Sequence, residues 1–168
     1  TPESERMLQE RFANYLRQSG VSLSEAQARR LYEMVMDELF GFGPLEPLLR
    51  DDSITEVMVN GPRLVYIEQN GKITLTPIRF ANDEHVLKVI DRIIRPLGRR
   101  IDRKWPMVDA RLPDGSRVNA VIPPCAIDGP SITIRKFAKK KLTVEDLIRF
   151  GSITPEMAEF LRACVVSR

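Results

Sequence analysis

Cysteine is almost missing from this 168-residue chain: Cys125 and Cys164 are its only two, and they stand far apart. Thiols so placed form neither a zinc site nor a redox pair, so two free thiols in a reducing compartment are expected. Histidine occurs once, at His85. It has no acid, serine or second ligand at a meaningful spacing, and metal and nucleophilic sites need such partners. A surface histidine is the reading there, and no metal site is expected. No apolar run approaches the roughly 20 residues of a membrane span. The start also lacks the basic-then-apolar form of a signal peptide. Absent too is any Gly-x-x-x-x-Gly-Lys-Ser/Thr loop, whose backbone N–H groups and lysine cradle phosphates, and any group of carboxylates placed to hold magnesium. By itself the chain is therefore read as catalytically silent. It opens on Thr1 rather than methionine, so a piece of a longer protein is expected.

What is present suits one soluble domain with an appendage, long enough to bury its own core. Hydrophobic content of 43% and charged content of 29% are ordinary for such a chain. The net charge of +3 conceals an uneven distribution. Residues 99–141 carry eleven lysines and arginines against four carboxylates, while 1–40, 41–98 and 142–168 are each slightly acidic.

That basic segment also has the clearest pattern. Pro113-Asp114-Gly115 is turn chemistry: proline presets φ, aspartate bonds back to its own backbone, and glycine accepts positive φ. On either side the residues alternate, as strands with one wet face do. Val108, Ala110 and Leu112 point inward, answered across the turn by Val118, Ala120 and Ile122. Asp109, Arg111, Arg117 and Asn119 take the opposite face. Further on, Ile132 and Ile134 turn inward and Thr133 and Arg135 outward. If the three segments pair as antiparallel neighbours, Arg111, Arg117 and Arg135 share one face. Arginine suits a surface that meets phosphate, because its planar fork stays charged and binds two oxygens at once. A solvated polar face would show the same pattern.

The rest of the chain reads as supporting structure. Leu8, Phe12, Tyr15 and Leu16 recur at helical spacing, ending near Ser19-Gly20. A second helix is predicted from Ser22, with Ser22 to Glu25 as a capping box and Ala28, Leu31, Val35 and Leu39 as its buried stripe. Gly41 to Pro47 is a hinge-like turn, followed by an apolar turn at Leu45, Leu48 and Leu49. Strands are predicted at Ile54–Asn60, Leu64–Glu68 and Ile73–Phe80, with Asn60-Gly61 and Asn70-Gly71 as turns. Residues 82–97 form a helix capped by Asn82, with Val86, Ile90, Ile93, Ile94 and Leu97 as its stripe. Lys139 to Lys141 is a basic, exposed run. A short helix is predicted from Thr143, and another after Thr154-Pro155 with Met157, Phe160, Leu161 and Cys164 buried. The order of elements predicts an α+β fold with one mostly antiparallel sheet.

Met107 to Asn119, Val121 to Pro124 and Ser131 to Phe137 resemble the amino-terminal domain of bacterial secretion ATPases, the motors of type II and type IV secretion and pilus assembly. Gly41 to Arg50 and Ser53 to Gly61 carry a second match, so the resemblance covers about residues 40 to 168. It is nearest the CpaF-like branch that drives tight-adherence pili. The resemblance implies a helical lead-in (1–40), a PAS-like sheet domain (41–141), and a helical linker (142–168) toward an absent RecA-like motor domain. It implies a homohexameric parent that hydrolyses ATP with magnesium, working at the cytoplasmic side of the inner membrane beside the platform proteins of the secretion machine. No tightly bound cofactor is expected on this chain. The resemblance also makes Arg117 and Arg135 phosphate-contacting residues, with Arg111 and Arg103 as further, looser matches. Two other readings compete: a basic sheet that binds nucleic acid, and a scaffold whose arginines pair with a partner. Single-strand readers use aromatic platforms, and this region offers only Phe137 and Trp105, so nucleic acid is not the expected partner.

Overall fold

The computed structural model describes residues 2–138 and 142–167; the basic run 139–141 lies outside them. The chain divides after Phe137 into two compact units.

In the first unit, six strands form one sheet: β1 (Ile54–Asn60), β2 (Leu64–Gln69), β3 (Lys72–Leu75), β4 (Met107–Arg111), β5 (Arg117–Val121) and β6 (Ser131–Arg135). Their order is β3-β2-β1-β6-β5-β4, and every ladder is antiparallel. The last strand is therefore inserted beside the first, at the centre. With the helices, this is the anticipated α+β fold. The β2–β3 turn has Asn70 at φ 53° and Gly71 at φ 70°, the two positive values that a tight two-residue hairpin turn requires.

The strand predicted at Ile73–Phe80 stops at Leu75. Pro77 has no N–H to offer a ladder, and Thr76 turns the chain instead. Its N–H and its hydroxyl both donate to the Val65 carbonyl, at 2.8 and 2.9 Å.

Helix α4 (Asp83–Ile94) begins where Asn82 accepts the His85 N–H at 2.9 Å. Past Ile94 it tightens into a 3-10 turn at Arg95–Leu97, closed by Gly98 in the left-handed region. Val86, Val89, Ile90, Ile93 and Ile94 are buried in one core with Val57, Val59, Val65, Val118, Ile132 and Ile134 of the sheet. Each such side chain contributes about 1.5–3 kcal/mol relative to exposure. The helix covers one sheet face, and the alternate residues of β4 to β6 remain on the other.

Helices α1 (Pro2–Ser19) and α2 (Glu25–Phe40) belong to the same unit. The capping box is Ser24 with Gln27, not Ser22 with Glu25. Both tetrads fit the motif, but only Ser24 lies one residue before the first helical turn. The inner side of α2 also differs from the predicted stripe. Tyr32 meets Phe12 of α1 edge-on at 5.3 Å, whereas Leu31 and Leu39 are exposed, as is Tyr15 of α1. Asp37 is buried in their place because Arg50, at the end of α3 (Glu46–Arg50), donates to it at 2.6 Å.

The second unit holds α5 (Val144–Arg149), opened by a capping box of Thr143 with Asp146, and α6 (Pro155–Val166), capped by Thr154. The predicted buried stripe of α6 is exposed: Met157, Phe160, Leu161 and Cys164 all face outward. A unit of about 30 residues has too little surface to enclose a core, and the six residues of α5 cannot cover a twelve-residue helix.

Candidate functional site

The β4–β5 hairpin sets the site. Its turn closes with the Leu112 N–H donating to the Ser116 carbonyl at 2.8 Å. Asp114 accepts the Ser116 N–H at 2.9 Å and its hydroxyl at 2.8 Å. Ser116, only 2% exposed, in turn accepts the Phe137 N–H at 3.0 Å. This buried serine ties the hairpin tip to the chain just past β6. The Asp-Gly-Ser order is its only sequence signal, and it is a generic turn signal. Gly115 is fixed twice over: its φ is 89°, and a Cβ there would lie 3.1 Å from the Phe137 ring.

With that turn in place, Arg111 stands opposite Arg117, and Arg117 opposite Arg135. The three arginines predicted to share a face form one row across three adjacent strands, and all three are exposed. Strands lie about 4.8 Å apart, so the three backbones span roughly 10 Å. Glu56 and Glu68 continue the row on β1 and β2. Like charges placed directly opposite one another destabilise a sheet. Glu56 opposite Arg135 offsets part of that repulsion at one end of the row.

The three guanidiniums differ in their partners. Arg117 binds Asp109 with two bonds, Nε to Oδ1 at 3.1 Å and Nη2 to Oδ2 at 2.5 Å. The Arg117 hydrogen bond, aided by the charges of Arg117 and Arg111, holds the Asp109 carboxyl below its usual range. Asp109 likewise holds Arg117 above its usual value. Arg111 and Arg135 make no hydrogen bond or ion pair with any described residue, so two of the three forks are open.

Arg103 is not part of the row. It sits in the exposed loop before β4, where Asp102 accepts the N–H groups of Lys104 at 2.8 Å and Trp105 at 3.0 Å. Arg111 ends the same strand, so about 13 Å of extended backbone lies between Met107 and Arg111. Of the two aromatics near the segment, Phe137 is by the hairpin tip and Trp105 at the far end.

His85 is not the free surface histidine predicted. Its side chain is 20% exposed, with Nε2 3.0 Å from Glu38 Oε1 and the ring edge-on to Phe80 at 5.1 Å. The Ala81 N–H donates to Nδ1 at 3.3 Å, which leaves Nε2–H to donate to Glu38. That acid lies 47 residues upstream, beyond any spacing rule. Among the described residues, no helix is long and apolar enough to cross a membrane.

A family model described as Type II/IV secretion system protein matches residues 38–168. A putative conjugal transfer protein of Mycobacterium tuberculosis is 30% identical over 152 residues, which is 87% of this chain and 43% of that protein. The type IV secretion system protein VirB11 of Brucella suis is 34% identical over 113 residues, 67% of this chain and 31% of the relative. The crystal structure of the VirB11 ATPase from the Brucella suis type IV secretion system, in complex with sulphate, superposes with a TM-score of 0.57. It is 30% identical and covers 74% of this chain and 42% of that one. The chain thus spans less than half the length of these relatives.

Proposed function

Because the chain belongs to the type II/IV secretion system protein family, we propose that it is the amino-terminal part of a secretion or pilus-assembly ATPase, whose arginine row meets the phosphates of ATP. The row itself carries the reading: three guanidiniums in cross-strand register on an open face, two of them with no hydrogen bond or ion pair among the described residues. Phosphoryl transfer needs charge aimed at the transferring group more than it needs covalent help from the protein. β6 is bonded to β1 on one side and β5 on the other, so Arg135 is set on a strand held from both sides at the centre of the sheet. Arg117 is its neighbour across the ladder. The phosphate loop and magnesium belong, in this reading, to a motor domain elsewhere in the parent protein. Closure of that domain on the sheet brings the arginines to the nucleotide, and hydrolysis releases them. Arg111 adds to the same charge. Arg103, at the other end of β4, has the weakest claim of the four.

A homohexameric parent at the cytoplasmic face of the inner membrane, docked on platform proteins, is the setting that this reading supplies. The test is made in the full-length protein, with Arg117→Ala, Arg135→Ala and the two lysine variants. Turnover should fall by roughly a thousandfold or more, as for comparable arginine fingers. Nucleotide affinity should fall less, because the contacts form mainly on closure. Lysine should restore only part, since a point charge cannot replace a bidentate fork. Melting temperatures should stay near wild type, because the side chains are exposed. Preserved turnover with collapsed melting temperature would make these arginines structural and refute the proposal.

A further inference from the structure

From the geometry of its pair with Arg117, we infer that Asp109 is a positioning residue: it holds the Arg117 guanidinium in one orientation and leaves that group's outer edge open for a phosphate. The inference rests on the reading of the arginine row given above. A guanidinium carries five N–H donors in a rigid plane. Asp109 takes the side edge, through Nε and Nη2 at 3.1 and 2.5 Å. Two N–H bonds on Nη1 and the second on Nη2 remain, and Nη1 with Nη2 forms a complete second fork. No other described residue bonds to it. One carboxylate therefore fixes the plane without using up the donors.

The placement follows from the ladder. Asp109 is two residues before Arg111 on β4 and faces Asn119 in register, so it reaches Arg117 on the diagonal. It is thus an outward position on the hairpin from which an acid meets Arg117 without displacing Arg111. Arg117 is the middle guanidinium of the three and has a like charge across each neighbouring ladder. A long, exposed arginine between two others would swing away from them, and the carboxylate opposes this by drawing it back over the hairpin. Orientation of this kind matters to rate more than to affinity, because a misplacement of about 1 Å can cost on the order of a hundredfold.

The experiment uses the full-length protein with MgATP, and compares Asp109→Ala, Asp109→Asn, Asp109→Glu, Arg117→Ala and the Asp109→Ala/Arg117→Ala double variant. Asp109→Ala should lower kcat about ten- to a hundredfold, with little change in KM or melting temperature. Asp109→Asn, which keeps one acceptor, should fall between it and wild type. The double variant should be no slower than Arg117→Ala alone, because Asp109 acts only through that arginine. Full turnover of Asp109→Ala beside a collapsed Arg117→Ala would overturn the positioning role and leave the phosphate reading standing. Faster turnover or lower KM in Asp109→Ala would also overturn it, by showing that the carboxylate competes with phosphate. Multiplying losses in the double variant would give Asp109 a separate task and overturn it likewise. Normal turnover in Arg117→Ala would remove the phosphate reading and this inference together.

Discussion

Replacing Ile134 tests which face of the sheet is core. Ile134 lies on the central strand β6, opposite Val57 on one side and Val118 on the other, and is 1% exposed. Ile134→Val should cost about 0.5–1.5 kcal/mol and Ile134→Ala about 2–5 kcal/mol. The upper half of the second range is expected, because ladders on both sides prevent β6 from moving inward to fill the cavity. For a chain of this size 1 kcal/mol corresponds to about 2–4 °C in Tm, so alanine should lower it by roughly 7 to 20 °C. Ile134→Asp should abolish folding, since it buries a carboxylate with no partner. The control is next door: Arg135→Ala removes an exposed side chain from the same strand and should leave the melting curve almost unchanged. Thermal denaturation followed by circular dichroism reads all four variants. A soluble Ile134→Asp protein that melts cooperatively near wild type would show that the strand faces are assigned the wrong way round.

Two smaller predictions concern local structure. Asn82→Ala removes the cap on α4 and should cost about 1 kcal/mol, seen as a lower urea midpoint with an unchanged slope. Asp102 is held below the usual carboxylate range, first by the Trp105 backbone N–H and then by Arg100, so its stabilisation is present at neutral pH and is lost as pH falls through the lowered value. Fluorescence of Trp105, the one tryptophan in the chain, should show an acid transition below about pH 4, and Asp102→Asn should remove it.

The strand faces were legible because a period of two carries its own check. Once Val118 and Ala120 are inward, Arg117 and Asn119 have nowhere else to point. The row of arginines then depended on register, which the Pro113-Asp114-Gly115 turn supplied between β4 and β5 but not between β5 and β6. Tertiary partners were not legible. Nothing near His85 in the chain announces Glu38, and nothing near Asp37 announces Arg50; both pairs join α2 to later elements. Helical periodicity by itself could not say which side of α2 or α6 would be covered, because a stripe shows amphipathicity and not the presence of a neighbour. Arg103 was grouped with the other arginines by resemblance alone, and the length of β4 that separates it from Arg111 is visible only in the fold. Asp109 was seen as an outward residue, yet its pairing with Arg117 needs the diagonal that only the paired strands provide.

Core and candidate site are built from the same residues of sequence. On β5 and β6 the inward Val118, Ile132 and Ile134 alternate with the outward Arg117, Thr133 and Arg135. Burial of those aliphatics, at about 1.5–3 kcal/mol each, fixes the strands against the repulsion of three like charges in a row. A slip of one residue would relieve that repulsion only by turning arginines into the core and aliphatics into water. The register is thus held by the inner face and exploited on the outer one. An electrostatic site gains most when its charges are in place before the ligand arrives, and a guanidinium row anchored by a central strand meets that condition without any loop having to order. The remaining freedom lies in the arginine side chains themselves, and Asp109 restricts it at the middle position, where repulsion from both neighbours is greatest.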